Sequence, residues 1–282
     1  MRRAWPAGRQ TIAMQKDRST ILAVPPAPTF SRGFTLTEMA VVLVIVGLLI
    51  GGMVMPMSAQ QDIRYVSETE TTLKNIHEAL LGFAAANGRL PCPAAPAGNG
   101  IESFAAGDAS GGECSNFLDG FLPAATLGIQ PTDTSGFAID AWGRRIRYAV
   151  TDKTIKNTTI SRAITRTDGI KLATINNVAA TAMLAVCSTA TGITPGDITD
   201  PIQYCGAAPA LVTSTPAVIF STGKNGAGTG TDEQANSTTA DTVFVSHVPT
   251  PSSVTNGEFD DIVLWISPNV LFNRMITAGR LP

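Results

Sequence analysis

The chain has 282 residues, enough for one sizeable domain and a separate anchor segment. With 44% apolar and 15% charged residues and a single strongly apolar segment, its composition excludes a wholly disordered chain and a multispanning membrane protein. The formal charge of −2 is uneven: residues 1–33 hold six basic side chains and one acidic one, which leaves 14 basic and 21 acidic residues beyond them. That acidic remainder argues against nucleic-acid binding.

A basic segment opens the chain and precedes its most apolar run. Its cations are Arg2, Arg3, Arg9, Lys16, Arg18 and Arg32. Because positive charge beside a membrane segment is retained on the cytoplasmic side, this segment predicts a cytoplasmic N-terminus. A start at Met14 in place of Met1 leaves three of these cations in place.

Residues 34–55 read FTLTEMAVVLVIVGLLIGGMVM and contain one charge, Glu38. At about 1.5 Å per residue, a helix of this length crosses a hydrocarbon layer about 30 Å thick. We therefore expect a membrane-spanning helix over residues 34–57. A cleaved secretory signal is disfavoured because its apolar stretch is shorter and ends in small residues, whereas a plain signal anchor stays open.

Glu38 is the residue that a plain anchor does not explain. A carboxylate inside a membrane is disfavoured by about 2.5–3.5 kcal/mol and usually has a partner. No lysine or arginine lies between Arg32 and Arg64. The candidate partner is an α-amino group, which a cut before Phe34 would create four residues from the carboxylate.

The six residues from Gly33 to Glu38, GFTLTE, resemble the processing site of type IV prepilins and type II secretion pseudopilins. The resemblance implies that a prepilin peptidase removes a leader, residues 1–33, and methylates the new amino group of Phe34. It also implies that Glu38 pairs with the N-terminus of a neighbouring subunit during assembly. Gly47 and Pro56 stand close to a glycine and a proline that bound a loosened stretch of helix in the family, although the family's proline is one place earlier.

Residues 58–88 predict an amphipathic stem helix. Apolar residues recur at helical spacing: Ile63, Val66, Leu73, Ile76, Leu80 and Ala84. Asn87-Gly88, followed by Pro91, is a helix stop. Residues 34–87 are therefore expected to form one helix of roughly 80 Å, which agrees with the stem of the pilin family.

Four cysteines follow the apolar run: Cys92, Cys114, Cys187 and Cys205. None has the CxxC spacing of a zinc or redox site, so two disulfides in an oxidising compartment are expected. The pairs 92–114 and 187–205 are favoured among the three connectivities, and four buried thiols are the alternative.

Residues 89–282 are expected to form a globular head. Five β-branched or aromatic runs bounded by turn residues predict strands: 145–150, 182–187, 217–221, 243–247 and 261–266. Residues 188–216 and 222–241 are predicted as loops, and 268–278 as a short C-terminal helix. Because no long helix separates the strands, the sheet is expected to be antiparallel. The predicted fold class is α+β and pilin-like, with the long N-terminal helix packed on an antiparallel sheet.

Parts of the head extend the resemblance. Residues 140–148, DAWGRRIRY, are similar to a stretch of pseudopilin heads, and residues 122–128 and 259–266 resemble segments of prepilin-type proteins of proteobacteria. Residues 151–258 carry no such likeness.

Catalytic and metal signals in the head are weak. A Ser-His-Asp hydrolase would have to use His247 with Asp241 or Asp260, but no G-x-S-x-G elbow accompanies it. Residues 221–230, STGKNGAGTG, depart from a phosphate loop because asparagine follows the lysine, and they predict a flexible glycine turn. Some major pseudopilins bind calcium in head loops, and the acids able to supply oxygen ligands here are Asp232, Glu233, Asp241, Asp260 and Asp261. Without a spaced loop motif, we expect solvated turn acids and no metal.

Together these features predict a non-enzymatic structural subunit, of minor type, in a type IV pilus or type II secretion pseudopilus. Its expected partners are prepilin peptidase, other pilin or pseudopilin subunits and the bacterial inner membrane, which it crosses once with the head in the periplasm; no nucleic acid is expected. A minor tip subunit with an adhesive or ligand-binding head is a variant of this hypothesis. The alternative from another class is a membrane-anchored periplasmic binding protein or enzyme that does not polymerise.

Overall fold

The computed structural model describes residues 33–105, 110–155, 159–181, 183–193, 205–226, 228–237 and 242–281, without the side chains of residues 52–59 and 179. The predicted leader, apart from Gly33, and the alternative start at Met14 lie outside these residues. The chain divides into two compact units, Met1–Val54 and Met55–Pro282.

Helix α1 comprises Leu36–Asn87 and contributes residues to both units. It ends where the sequence predicts, and Gly88 follows with a φ of +70°, a left-handed conformation that favours glycine at a helix stop. Over the part of the chain that the structure describes, no helix has the length and apolarity needed to cross a membrane.

The second unit is an α+β domain. Within the described residues its other elements are β1 (Gly120–Phe121), α2 (Ala124–Leu127), β2 (Arg147–Val150), α3 (Ile175–Ala179), β3 (Leu184–Cys187), β4 (Ala210–Thr215), β5 (Ala217–Ser221), α4 (Thr231–Ser237), β6 (Val243–Val245), β7 (Ile262–Ile266) and α5 (Pro268–Thr277). The five predicted strands and the C-terminal helix are all present, with only small shifts at their ends.

Four strands form one antiparallel sheet, in the order β1-β2-β5-β7. This confirms the predicted antiparallel sheet. β5 is a central strand, and all five of its residues are buried because both faces of the sheet are covered.

A second sheet of three strands, in the order β4-β3-β6, departs from the sequence prediction. β3 pairs with β4 antiparallel but with β6 parallel, so this sheet is mixed. The predicted loop over 188–216 is wrong in its last part, where β4 pairs with β3. The predicted loop over 222–241 is wrong at Thr231–Ser237, which forms α4. Asp232 and Glu233 lie in the first turn of this helix, where negative charge is favoured.

The stem half of α1 packs on one face of the four-stranded sheet. Its buried apolar residues are Leu73, Ile76, Leu80, Leu81 and Ala84. They share a core with Tyr148 and Ile219 of the sheet and with Leu271 of α5. The predicted apolar stripe is thus confirmed from Leu73 onwards, but Ile63 is 70% exposed and does not belong to it.

The other face of the same sheet packs on the three-stranded sheet. Val218 and Phe220 of β5 share a second core with Val186 of β3 and Phe244 of β6. The head is therefore built in three layers, helix, four-stranded sheet and three-stranded sheet.

Polar contacts at both ends of the stem add to this apolar packing. Near its start, Lys224 Nζ lies 2.8 Å from Asp62 Oδ2, and the Trp142 ring meets the Tyr65 ring edge-on at 6.0 Å. Near its end, Arg280 Nε donates to the Ala85 carbonyl oxygen at 2.9 Å. That carbonyl lies in the last turn of α1, where backbone acceptors have no partner within the helix.

Candidate functional site

The predicted processing site lies immediately before α1. Gly33 and Phe34 precede the helix, and Phe34 is 76% exposed. Thr35 and Glu38 form a reciprocal capping box at the helix start. The backbone N–H of Thr35 donates to Glu38 Oε2 at 2.9 Å, and the backbone N–H of Glu38 donates to Thr35 Oγ1 at 3.2 Å.

This capping box was missed by the sequence reasoning, although the T-x-x-E pattern of residues 35–38 is its signal. It gives the Glu38 carboxylate a partner inside its own chain. The pairing of Glu38 with a neighbour's amino group therefore stays a prediction, and a test of it must separate the negative charge from the helix cap.

Gly47 and Pro56 both lie inside α1. A methyl group placed at Gly47 or at Gly51 would meet no described atom within 4 Å. Packing within the described chain therefore does not require either glycine. The loosening of this stretch in a filament stays a prediction.

The four cysteines form the two favoured disulfides, Cys92–Cys114 and Cys187–Cys205. Their Cα atoms are 5.3 and 5.5 Å apart, inside the usual range. The first closes the connection that follows the stem, and the second closes the connection between β3 and β4. Each is expected to stabilise the head by on the order of 3 kcal/mol, by restricting the unfolded chain.

The DAWGRRIRY segment forms a turn that docks on the stem. Asp140 Oδ1 accepts hydrogen bonds from the backbone N–H groups of Trp142 at 2.9 Å and Arg144 at 2.8 Å, and Asp140 Oδ2 accepts from Ser221 Oγ at 2.5 Å. Within the turn, the backbone N–H of Ala141 donates to Thr69 Oγ1 on the stem at 3.2 Å. Asp140 thus holds the turn in the shape that meets the helix.

Three acidic side chains converge between α4 and the start of β7: Glu233, Asp260 and Asp261. One carboxylate oxygen from each lies within 4.8 Å of the others. Glu233 and Asp261 are buried, and Asp260 is half-buried. Among the described residues, no lysine, arginine or histidine forms an ion pair with this cluster.

Some oxygen atoms of this carboxylate cluster lack hydrogen-bond partners. The Oδ1 atoms of Asp260, Asp261 and the adjacent Asn225 are buried and unpaired, although buried oxygens normally have a partner. Burial raises the pKa of Asp261 to about 8. Burial also raises the pKa of Asp260 to about 6, and the neighbouring Glu233 adds to that effect.

The glycine-rich segment 221–230 packs directly on the carboxylate cluster. A Cβ at Gly228 would lie 1.5 Å from Glu233 Oε2, and one at Gly223 would lie 2.2 Å from Asp260 Oδ1. These glycines are therefore needed for the close approach of the backbone. Buried, unpaired hard oxygens fit a cation such as Ca²⁺, which takes six to eight oxygen ligands.

The remaining acids considered as possible oxygen ligands, Asp232 and Asp241, are not found in the cluster. Asp241 lies outside the described residues, and Asp232 instead faces His247, whose Nε2 is 3.1 Å from Asp232 Oδ2. Asp232 also accepts hydrogen bonds from Thr189 Oγ1, the Ala190 backbone N–H and Asn256 Nδ2. The carboxylate is thus held entirely by the protein.

His247 is not arranged for the hydrolase chemistry considered from the sequence. The acid that pairs with it is Asp232, and Asp260 lies in the carboxylate cluster instead. The second ring nitrogen, Nδ1, lies 2.7 Å from the Val248 carbonyl oxygen, where a serine nucleophile would have to be. The ring also stacks on Phe259, with centroids 3.9 Å apart.

Comparison with known families gives one match. Residues 29–54 match the prokaryotic N-terminal methylation motif, a segment that includes Gly33, Phe34 and Glu38. The match supports a type IV prepilin- or pseudopilin-type protein and confirms the resemblance drawn from these residues. No curated protein and no solved structure matches the chain.

Proposed function

We propose that this chain is a structural subunit, of minor type, of a type IV pilus or type II secretion pseudopilus. A prepilin peptidase cuts between Gly33 and Phe34 and methylates Phe34, and the N-terminal helix then carries the subunit into the filament. The proposal rests on the methylation-motif match, in which Gly33 and Phe34 come just before α1 and Glu38 lies in its first turn.

The same proposal assigns the subunit to the bacterial inner membrane, with its N-terminus in the cytoplasm and its head in the periplasm. The basic residues ahead of Gly33 and the apolar sequence of residues 34–55 support this orientation. The two disulfides support an oxidising compartment for the head. In the proposal the subunit has no enzymatic activity.

Processing is tested by the N-terminal mass of the chain, purified from a membrane that contains an active prepilin peptidase. We expect a chain that begins at Phe34 and carries one added methyl group. An intact leader, with the peptidase shown to cut a control substrate, would contradict the proposal. It would favour the anchored monomer, a periplasmic binding protein or enzyme that does not polymerise.

The role of Glu38 in assembly is tested by two substitutions that differ in the helix cap. Glu38→Gln keeps a side-chain oxygen for the capping box but removes the charge, whereas Glu38→Ala removes both. If the charge pairs with a neighbour's amino group, both variants should enter the membrane and be cleaved but fail to join filaments. The readout is the fraction of the chain in sheared filaments.

Glu70→Gln is the matched control, because Glu70 is an exposed stem glutamate outside this site. It should assemble like the wild type. Normal assembly of Glu38→Gln together with failure of Glu38→Ala would assign Glu38 to the helix cap alone. That outcome would remove intersubunit pairing from the proposal and leave cleavage intact.

We also propose that the head binds a divalent cation, of which Ca²⁺ fits best, at Glu233, Asp260 and Asp261. The specific observation is that Asp261 is 4% exposed and has an unpaired Oδ1 beside two further carboxylates. When all three side chains are ionised, they repel one another. A bound Ca²⁺ would relieve this repulsion and supply a partner for the unpaired oxygens.

Calcium binding is measured by the unfolding temperature of the full chain in detergent, first in EDTA and then with excess CaCl2. We expect Ca²⁺ to raise the unfolding temperature of the wild type and of the control Asp152→Asn, which changes an exposed acid elsewhere. The rise should be largely lost in Asp261→Asn. Equal unfolding temperatures of the wild type in EDTA and CaCl2 would rule the site out.

A further inference from the structure

A groove on the head is lined by three arginines and two phenylalanines. Its volume is about 400 Å³, and the residues in question are Phe121, Arg144, Arg145, Arg147 and Phe220. It has no role in the processing site or in the carboxylate cluster. We call it the arginine groove.

Two of its three arginines have acidic partners. Arg145 Nε lies 2.6 Å from Asp133 Oδ2, and Arg147 forms an ion pair with Asp119. Arg144 is exposed, and among the described residues no carboxylate lies within ion-pair distance of it. Asp140 acts on Arg144 electrostatically without a direct ion pair, so the Arg144 guanidinium is the one in the arginine groove that has no carboxylate in contact among the described residues.

The Arg144 side chain is nevertheless held in place. Its Nη2 donates to the Lys224 carbonyl oxygen at 3.3 Å. Its Nη1 packs over Gly226, where a Cβ would lie only 2.8 Å away. A guanidinium fixed in this way has lost part of its rotamer freedom before any partner arrives, which lowers the entropic cost of binding.

A single carboxylate suits this groove better than a polyanion. A guanidinium presents paired N–H donors that match the two oxygens of a carboxylate. The 14 basic and 21 acidic residues beyond residue 33 leave a net charge of −7, which repels nucleic acids and other polyanions at long range. The expected ligand is therefore one acidic side chain within a protein contact.

The stem offers such a side chain on its exposed face. Three of its acids have cation partners within the described residues, in the pairs Asp62–Lys224, Glu70–Lys74 and Glu78–Arg274. Glu68 is exposed and has no such pair among the described residues. Glu68 lines a shallow groove of about 480 Å³ on the stem. Ile63 lines the same groove; it lies outside the core and is 70% exposed.

We propose that the arginine groove of one subunit receives the stem of a second copy of this chain, with Arg144 paired to Glu68. This inference rests on the proposed function and on copies of this chain being neighbours in the filament, because only then does the stem of one copy lie beside the head of another. Charge complementarity selects the pair, and the exposed Ile63 beside Glu68 supplies apolar surface that the contact buries.

Reciprocal charge reversal tests the pair in cells that contain prepilin peptidase. The variants are Arg144→Glu, Glu68→Arg and the double variant, with Lys171→Glu as an exposed head control. Each single reversal should lower the fraction in sheared filaments about tenfold or more, as expected when a close charge pair becomes a repulsion. The double variant should return to within about twofold of the wild type, and Lys171→Glu should leave assembly unchanged.

N-terminal mass and resistance to proteolysis are measured on every variant, so that loss of assembly is separated from loss of cleavage or folding. Single reversals that assemble like the wild type would overturn the pairing, as would a double variant no better than the worse single one. In both cases, if the wild-type chain still assembles into filaments, the proposed function is not contradicted. A cleaved wild-type chain that never assembles would overturn the proposed function and the pairing together.

Discussion

At the scale of single residues, the ion pair of Arg89 and Glu102 joins the end of the stem to the first disulfide-closed connection. The contact is bidentate, with Nη1–Oε2 at 2.7 Å and Nη2–Oε1 at 2.8 Å. The Arg89 side chain is only 8% exposed, and its guanidinium lies 5.1 Å from the ring centroids of Phe83 and Phe104. Glu102 also accepts from the backbone N–H of Cys92. Removing either partner would leave the other charge buried and unpaired.

Glu102→Ala should therefore destabilise the chain by about 3–5 kcal/mol, the usual cost of breaking a buried pair. The measurement is urea unfolding with both disulfides intact. Arg89→Met with Glu102→Leu should recover most of the loss, because it removes both charges. Lys74→Ala, in an exposed pair on the stem, should cost less than about 1 kcal/mol. An equal effect of Glu102→Ala and Lys74→Ala would contradict the argument.

At the scale of elements, the stem half of α1 is held to the head mainly by its apolar face. Leu80 is fully buried, while Ile63, more than four turns earlier, is largely exposed. Burying a leucine contributes about 1.5–3 kcal/mol before the cost of any cavity is counted. The stem and the four-stranded sheet therefore depend on each other for stability.

Leu80→Ala should destabilise the monomeric chain by about 2–5 kcal/mol, because it opens a cavity between the helix and the sheet. Ile63→Ala is the matched control and should change stability by no more than about 0.5 kcal/mol. Both are measured by urea unfolding in detergent. If Ile63→Ala were as destabilising as Leu80→Ala, the stem would be buried more widely in solution than the structure indicates.

At the scale of the whole molecule, the carboxylate cluster links several distant segments of the head. Asp260 Oδ2 accepts from the backbone N–H groups of Lys224 and Asn225, in the loop after β5. The Lys224 side chain in turn pairs with Asp62 on the stem. The charge state of the cluster is therefore expected to affect the stability of the head as a unit.

The contribution of Asp261 to the stability of the calcium-free chain, measured as the difference between the wild type and Asp261→Asn, should fall as the pH rises from about 4 to about 8. Asp261, with a pKa of about 8 when folded and an ordinary value of 3.8, retains its proton over this range while the unfolded chain has lost it. The folded state thus binds more protons, and stability decreases with rising pH until both states are ionised. Unfolding temperatures in EDTA at several pH values measure this.

Calcium should reverse the trend, since it binds the ionised carboxylates. The stabilisation by CaCl2 should therefore grow from about pH 5 to about pH 8. A difference in unfolding temperature between the wild type and Asp261→Asn in EDTA that stays constant over the same range would contradict the buried cluster. A calcium effect that is independent of pH would place the bound ion elsewhere.

Much of the secondary structure could be predicted from local patterns, whereas the pairing of strands could not. The strand at 217–221 and the end of α1 at Asn87 follow from β-branched runs and from an Asn-Gly stop. β4 was missed because its short run Ala210–Thr215 lies within a stretch rich in glycine, proline and threonine that as a whole predicts a loop. The parallel pairing of β3 with β6 depends on a connection whose path no local pattern specifies.

The sequence by itself determined the processing motif and the apolar run that follows it, because these depend on the order of neighbouring residues. It favoured the disulfide pairs 92–114 and 187–205 by their spacing, and the structure decided between the three connectivities. Only the tertiary structure decided that Glu233 joins Asp260 and Asp261, that Asp232 faces His247, and that Arg144 is left without an acidic partner among the described residues. The physical reason is that burial and pairing of charge depend on groups far apart in the chain, which meet only when the sheets and the stem have packed.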